Sequence, residues 1–251
     1  LLGQMALALQ DEEPEWASQA AQAALNIAVR KDIPNYALYF ALTASVAHHI
    51  QDQEALLNAI QGLLTVWDDE PYWHTLAAET LLNKGVEAAP SAAKQAIGYL
   101  DRAIQLEPLK VNHYKQLGQA HFNNQDIRQA LQAFKRAATL APEDHEPNME
   151  LGRVFKASGD NQQANQYARK AFDLAPKNLE ARRLLAQVAI DNQAPEEALM
   201  HADELLKKNA ADFQAMLVRA EALTMLEKPA EALIALEAAT ARMLPTTDLL
   251  L

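Results

Sequence analysis

The chain has 251 residues, of which 50% are hydrophobic, with seven glycines and no cysteine. Its formal net charge of −11 argues against a general nucleic-acid binder, which needs a basic surface for phosphate, and against binding to an anionic membrane. The absence of cysteine excludes disulfides and thiolate metal ligands, and no apolar run is long enough to span a bilayer. This alanine-rich composition favours closely packed helices over sheets.

Small residues recur along the chain with a period of 34 residues and a single step of 41. The first series contains Thr43, Ala77, Gly118, Gly152, Ala186 and Ala220. The second contains Ala21, Ala55, Ala96, Ala130, Ala164, Ala198 and Ala232. A third, from Ala28 through Gly62 to Ala239, has the same irregular step. Three agreeing series indicate stacked units that bury their apolar faces against one another.

The clearest unit runs from Val111 to Asp144, with a polar break at residues 123–126. Its characteristic residues are, in order, Tyr114, Leu117, Gly118, His121, Ala130, Phe134, Ala137, Leu140 and Pro142. This order resembles the signature of the tetratricopeptide repeat, a pair of helices joined by a turn. The resemblance implies an all-α protein, a right-handed α-solenoid of about seven stacked helix-turn-helix repeats.

We predict one solenoid over residues 1–251. Its repeats are a partial one at 1–35, then 36–69, 70–110, 111–144, 145–178, 179–212 and 213–246. The third repeat carries seven extra residues, which we place in the turn around residues 83–90, either as a contact surface or as a neutral insertion. The chain starts at Leu1 and ends in three leucines, so we expect a fragment of a longer, bacterial protein whose apolar ends are covered. Cytoplasm and periplasm fit equally, with or without a membrane anchor outside this fragment.

In tetratricopeptide proteins the first helix of each repeat lines a concave groove, so the resemblance implies which side chains face a ligand. These candidates are Phe40, Asn112, Lys115, Gln119, Phe122, Asn123, Arg153, Lys156, Arg183 and Gln187. Most of them form a basic, amide-rich strip, which suits an acidic peptide or a C-terminal carboxylate. Two alternatives stay open: Phe40 packs on the preceding repeat, and the charged side chains only keep the helix face soluble.

Catalytic and metal chemistry finds no support in the motifs. The chain lacks an HExxH helix, a phosphate-binding glycine loop and a serine elbow. His48 and His49 are adjacent on a predicted helix and point about 100° apart, which makes them poor joint metal ligands. We therefore expect no enzyme activity, no metal and no cofactor.

The predicted function is a protein–protein interaction scaffold that binds a peptide or protein segment in its groove, without direct binding to nucleic acid or membrane. One alternative is a self-assembly module that forms homo-oligomers through its apolar ends. Another is the targeting arm of a larger enzyme whose catalytic domain lies outside this chain.

Overall fold

The computed structural model describes residues 40, 43, 44, 47, 48, 51–65, 68–83 and 89–243. The predicted partial repeat at 1–35, most of the 83–90 insertion and both apolar ends of the chain lie outside these residues. The described part contains eleven α-helices. They are α1 (Gln53–Leu64), α2 (Pro71–Leu82), α3 (Ala89–Leu106), α4 (Val111–Asn123), α5 (Ile127–Leu140), α6 (His145–Ala157), α7 (Asn161–Leu174), α8 (Leu179–Asp191), α9 (Pro195–Lys208), α10 (Phe213–Met225) and α11 (Pro229–Met243).

The helices pack in chain order within each of two compact units, residues 1–133 and residues 134–251. In unit 1, α2 packs between α1 and α3, α3 packs on α4, and α2 also contacts α4. In unit 2, each helix from α6 to α10 packs on the next one, and α8 also contacts α6 and α10. Within each unit, these helices are therefore neighbours in space when they are adjacent in sequence or are first helices one repeat apart. The prediction of an all-α, tetratricopeptide-like solenoid is confirmed.

Helix starts are encoded by side-chain caps that recur with the repeat. Asp144, Asn178 and Asp212, each 34 residues from the next, precede the first helices α6, α8 and α10. Each side chain accepts a hydrogen bond from a backbone N–H two or three residues later, which satisfies a donor that has no partner within the helix. Pro71 and Pro195 begin α2 and α9, where a missing N–H costs nothing.

Each hairpin turn that the structure describes uses one residue in the left-handed conformation. These residues are Gln51, Gln125, Gly159, Gln193 and Glu227, with φ of 59°, 64°, 79°, 56° and 58°. At each turn the next residue donates its N–H five residues back, as Asp160 does to the Phe155 carbonyl at 3.0 Å. The repeated conformation fixes the angle at which the second helix leaves the first, although only one of the five residues is a glycine.

Small residues allow the helices to approach closely. Ala164, Ala168 and Ala171 on α7 are completely buried. A Cβ built on Gly152 of α6 would lie 3.0 Å from Leu184 Cδ2 and 3.3 Å from the backbone nitrogen of Ala168. Such distances are tighter than ordinary packing, so the small-residue series marks the contact between helices of a repeat.

The irregular step of the repeat is divided between two turns. The first helices α4, α6, α8 and α10 begin 34 residues apart, whereas α2 begins 40 residues before α4. Six of the seven extra residues therefore follow the start of α2, and one precedes it. Helix starts thus align Tyr72 with Asn112, Thr75 with Lys115, and Glu79 with Gln119. Ala78, rather than its neighbour Ala77, corresponds to Gly118.

Candidate functional site

The first helices present a recurring set of side chains, most of them at least partly exposed, which we call the first-helix face. It comprises the second, fifth, ninth, twelfth and thirteenth positions of α2, α4, α6, α8 and α10, counted from each helix start; in α2 the thirteenth position, Asn83, follows the end of the helix. The second position is exposed in all five helices, where it holds Tyr72, Asn112, Glu146, Glu180 and Gln214. The side chains at the second position are therefore accessible at the surface of each unit.

In unit 2 the predicted cations of α6 bond to carboxylates of α8. Arg153 donates to Glu150 Oε1 at 3.0 Å and to Glu180 Oε2 at 3.4 Å. Lys156 Nζ lies 3.1 Å from Asp191 Oδ2 at the end of α8. These pairs tie two successive first helices together and neutralise both cations.

Arg183 continues the same pattern from α8 to α10. Its guanidinium forms an ion pair with Glu180 and donates to Asp212 Oδ2 at 2.6 Å. The hydrogen bond that Arg183 donates to Asp212 raises the pKa of Arg183 above its ordinary value. Burial alone would raise the pKa of Asp212, but hydrogen bonds from Arg183 and the Ala215 N–H outweigh it and lower that pKa. Both groups therefore stay charged at neutral pH.

The basic half of the predicted strip is thus a series of intramolecular ion pairs. Arg153, Lys156 and Arg183 are each partly exposed, as is Gln187 on the same face of α8. The surface is ordered and carries alternating charges, because each cation is held by a carboxylate of the same or the next first helix. What it offers a ligand is a set of fixed polar groups with little excess positive charge.

In unit 1 the predicted groove residues of α4 lie on the first-helix face. Asn112 is exposed, and Lys115, Gln119, Phe122 and Asn123 are partly buried. The Gln119 amide donates to Asn123 Oδ1 at 2.7 Å, one helical turn away.

A cavity of about 360 Å³ opens between α2 and α4 in unit 1. Its lining residues are Glu70, Pro71, Tyr72, Thr75, Leu76, Glu79, Glu107, Lys110, Asn112 and His113. Tyr72, Thr75 and Glu79 occupy the same repeat positions as Asn112, Lys115 and Gln119, so the cavity belongs to the first-helix face. These three α2 residues are not among the groove candidates, which come from Phe40 and from the fourth to sixth repeats. Pro71 was the available signal, since proline favours the first position of a helix.

A buried histidine forms the floor of this cavity. His113, 3% exposed, has Nε2 at 3.0 Å from Glu107 Oε2 and Nδ1 at 3.2 Å from Thr75 Oγ1. The Thr75 hydroxyl also donates to the Pro71 carbonyl at 2.9 Å. The network links α2, the α3–α4 turn and α4, and it gives the cavity a rigid base.

Phe40, the remaining candidate, packs in the core of unit 1. Its ring is partly buried against the apolar cluster of α1 and α2, and a Cβ at Gly62 of α1 would overlap it. This packing uses much of the ring, and the groove contact expected for Phe40 stays a prediction.

Metal ligands do not cluster in the described residues: no group of three or more histidine, aspartate or glutamate side chains could hold an ion. None of the helices that the structure describes is long and apolar enough to cross a bilayer.

The comparisons with known proteins agree with this architecture. The family model described as tetratricopeptide repeat matches residues 92–145, 149–203 and 195–246. PilW, a type IV pilus biogenesis factor, has a crystal structure similar to this chain, with a TM-score of 0.66 at 15% identity over 86% of this chain and 96% of PilW.

Two further solved structures share the fold. YrrB, a TPR protein with an unusual peptide-binding site, gives a TM-score of 0.59 at 17% identity over 74% of this chain and 93% of YrrB. The Cut9–Hcn1 hetero-tetramer of the APC/C gives 0.64 at 17% identity over 94% of this chain and 45% of the matched chain. No curated protein sequence matches the chain. The family model covers more than half of the residues, and the chain therefore belongs to the tetratricopeptide repeat family.

Proposed function

We propose that this protein is a scaffold that binds a segment of a partner protein on its first-helix face. The main support for the proposal is that polar side chains of this face are held in place. Ion pairs between successive repeats fix them, as Arg153 with Glu180 and Arg183 with Asp212. Side chains that are already ordered lose little entropy when a ligand binds. A rigid row of donors and acceptors suits an extended segment.

The fold relatives support the same class of function. YrrB is described by its peptide-binding site, and Cut9 forms a hetero-tetramer with Hcn1. Membership of the tetratricopeptide repeat family favours protein binding over catalysis.

The ion pairs also bear on the ligand class. An acidic or C-terminal segment in unit 2 would have to compete with Glu150, Glu180, Asp191 and Asp212 for the same cations. Breaking a partly buried pair leaves a charge without a partner, which is costly. We therefore favour recognition of main-chain amides and polar side chains in unit 2 over recognition of a carboxylate.

Site-specific photo-crosslinking tests the proposal. A photoreactive amino acid is placed at Asn112 or Gln187 on the first-helix face, and at Gln132 or Gln166, which are exposed on second helices. Asn112 and Gln132 lie in unit 1, and Gln187 and Gln166 lie in unit 2, so each test position has a control in the same unit. The proposal expects one partner band from a bacterial extract at Asn112, Gln187 or both, and none at the controls. A partner that crosslinks only from Gln132 or Gln166 would refute it.

A second candidate function, self-assembly, is favoured by the outer side of α11. Leu236 is 41% exposed, whereas the equivalent residues of the earlier second helices, Leu100, Phe134, Ala168 and Ala202, are at most 1% exposed. In the preceding repeat the equivalent residue, Ala202 of α9, is covered by the next first helix, α10, where it packs with Val218. A helix supplied by a second copy would bury Leu236 in the same way, as would a further helix of the same chain.

Light scattering over a range of concentrations tests self-assembly. Leu236→Glu is expected to keep the protein monomeric at concentrations where the native chain associates. Ile234→Glu is the control, because Ile234 is 64% exposed at a position that is also exposed in α9, at Met200. Equal association of both variants, or a native mass that does not change with concentration, rules out assembly through this face.

A further inference from the structure

We propose that the cavity between α2 and α4 binds an arginine side chain of the partner segment. This inference rests on the proposed function, since it names the residue that unit 1 recognises. It departs from the basic strip predicted from sequence, because the cavity is acidic.

The cavity contains more negative charge than its surroundings neutralise. Three carboxylates line it, Glu70, Glu79 and Glu107, against the single lysine Lys110. Glu107 is bonded to His113, but the side chains of Glu70 and Glu79 are exposed and form no hydrogen bond or ion pair with the residues that the structure describes. This differs from unit 2, where the cations of the first-helix face already have carboxylate partners. Two unpaired carboxylates on a shared cavity wall are acceptors for an incoming cation.

An exposed tyrosine lines the same cavity. Tyr72 is 59% exposed at a position that is polar in the other four first helices. Its ring lies edge-on to Trp73 with centroids 4.9 Å apart, which limits its orientations. Leu109, in the turn between Glu107 and Lys110, is 70% exposed where later repeats have Glu143, Lys177 and Ala211. Exposed aromatic and aliphatic side chains next to a cavity are typical of binding hot spots.

Arginine matches both features at once. A guanidinium is flat, stacks on an aromatic face and donates paired hydrogen bonds to carboxylates, whereas a lysine ammonium is a compact point charge that does not need the ring. Leu109 and Leu76 would hold an apolar neighbour of the arginine. Residues 1–110 contain 14 acidic and 6 basic residues, a net charge of −8, which attracts a basic segment from a distance.

Selection from a random peptide display library identifies the recognised residue and does not require the partner itself. We expect peptides that bind the native chain to be enriched in arginine next to an apolar residue. The strongest peptide is then titrated by fluorescence polarisation, together with a form in which neutral citrulline replaces arginine. Citrulline keeps the shape and loses the charge.

Variants assign the peptide to the cavity. Glu70→Gln and Glu79→Gln are each expected to weaken binding about fivefold, and Tyr72→Ala to weaken it by a similar factor while Tyr72→Phe retains it. The control is Glu54→Gln: Glu54 is exposed on α1, a second helix of unit 1 that lies outside the first-helix face, and its replacement should leave binding unchanged.

The outcomes separate this inference from the proposed function. Selected peptides that lack arginine, or that bind the Glu79→Gln variant as tightly as the native chain, overturn the arginine site. If those peptides still crosslink from Asn112 or Gln187, the scaffold function stands. Peptides that crosslink only from second helices, or a selection that yields none, overturn both.

Discussion

Gly152 is the sharpest test of the packing that holds each hairpin together. Replacing a helical glycine with alanine stabilises an isolated helix by about 1 kcal/mol. At Gly152, however, the new Cβ would lie 3.0 Å from Leu184 Cδ2, 3.3 Å from the Ala168 nitrogen and 3.5 Å from the Ala164 carbonyl oxygen. Two of these three atoms belong to the backbone of α7, so relief requires α6 and α7 to separate.

Overpacking of this kind costs about 1–3 kcal/mol, which exceeds the gain in helix propensity. We therefore expect Gly152→Ala to be destabilised by about 1 kcal/mol, and its midpoint of thermal unfolding to fall by about 2–4 °C. Circular dichroism of the native chain and the variant measures this shift.

Gly98 provides the matched control. It is also a helical glycine, in α3, but a Cβ there would meet no atom within 4 Å. Gly98→Ala should raise the midpoint, because only the propensity term acts. If Gly152→Ala were as stable as Gly98→Ala, the close approach of α6 and α7 would not limit the residue at position 152, and the reasoning would be wrong.

Three further changes have expected outcomes. Asp212→Asn keeps the helix cap and loses the ion pair with Arg183, so it should lower the free energy of unfolding in urea by about 1 kcal/mol. Asp212→Ala also loses the cap and should lower it by about 2 kcal/mol. Burial, together with the nearby Arg182 charge, lowers the pKa of His201 below 6.5. As the pH falls below about 6.5 the unfolded chain therefore binds a proton before the folded chain does, and the folded state loses stability. His201→Tyr should reduce this loss in a series of thermal midpoints measured at different pH. Gln193→Gly should stabilise by about 0.5–1 kcal/mol in urea unfolding, because φ at this turn is 56°.

Each of these has a clear contrary result. Equal stability of the Asn and Ala variants at Asp212 would mean that its backbone hydrogen bond contributes nothing. An unchanged pH slope in His201→Tyr would show that another group controls the acid loss. A destabilised Gln193→Gly would mean that the glutamine side chain makes contacts worth more than the backbone strain.

The fold could be predicted because its determinants are local and repeated. Gly118, Gly152 and Ala186 recur where hairpins pack tightly, and Asp144, Asn178 and Asp212 recur where first helices start. A period that repeats in several independent series specifies the stacking of neighbours without any long-range information.

The charges of the candidate site could not be predicted in the same way. Arg153 and Glu180 are 27 residues apart, and Arg183 and Asp212 are 29 apart, so neither pair follows the repeat period. Whether these side chains meet depends on how α6, α8 and α10 pack, and the positions of groove residues in the repeat give no information on that packing. Tyr72 and Glu79 are not among the candidates for a different reason: no groove positions were assigned in the third repeat, where the insertion interrupts the period.

A double-mutant cycle between the arginine of a selected peptide and Glu79 tests the account most directly. Four dissociation constants are needed: arginine and citrulline peptides, each with the native chain and with Glu79→Gln. If a partner's arginine lies in the α2–α4 cavity, the charge of the peptide should matter about fivefold less in the variant than in the native chain, a coupling of about 1 kcal/mol. If the two substitutions are additive, the arginine does not contact Glu79 and the first-helix face of unit 1 does not recognise it.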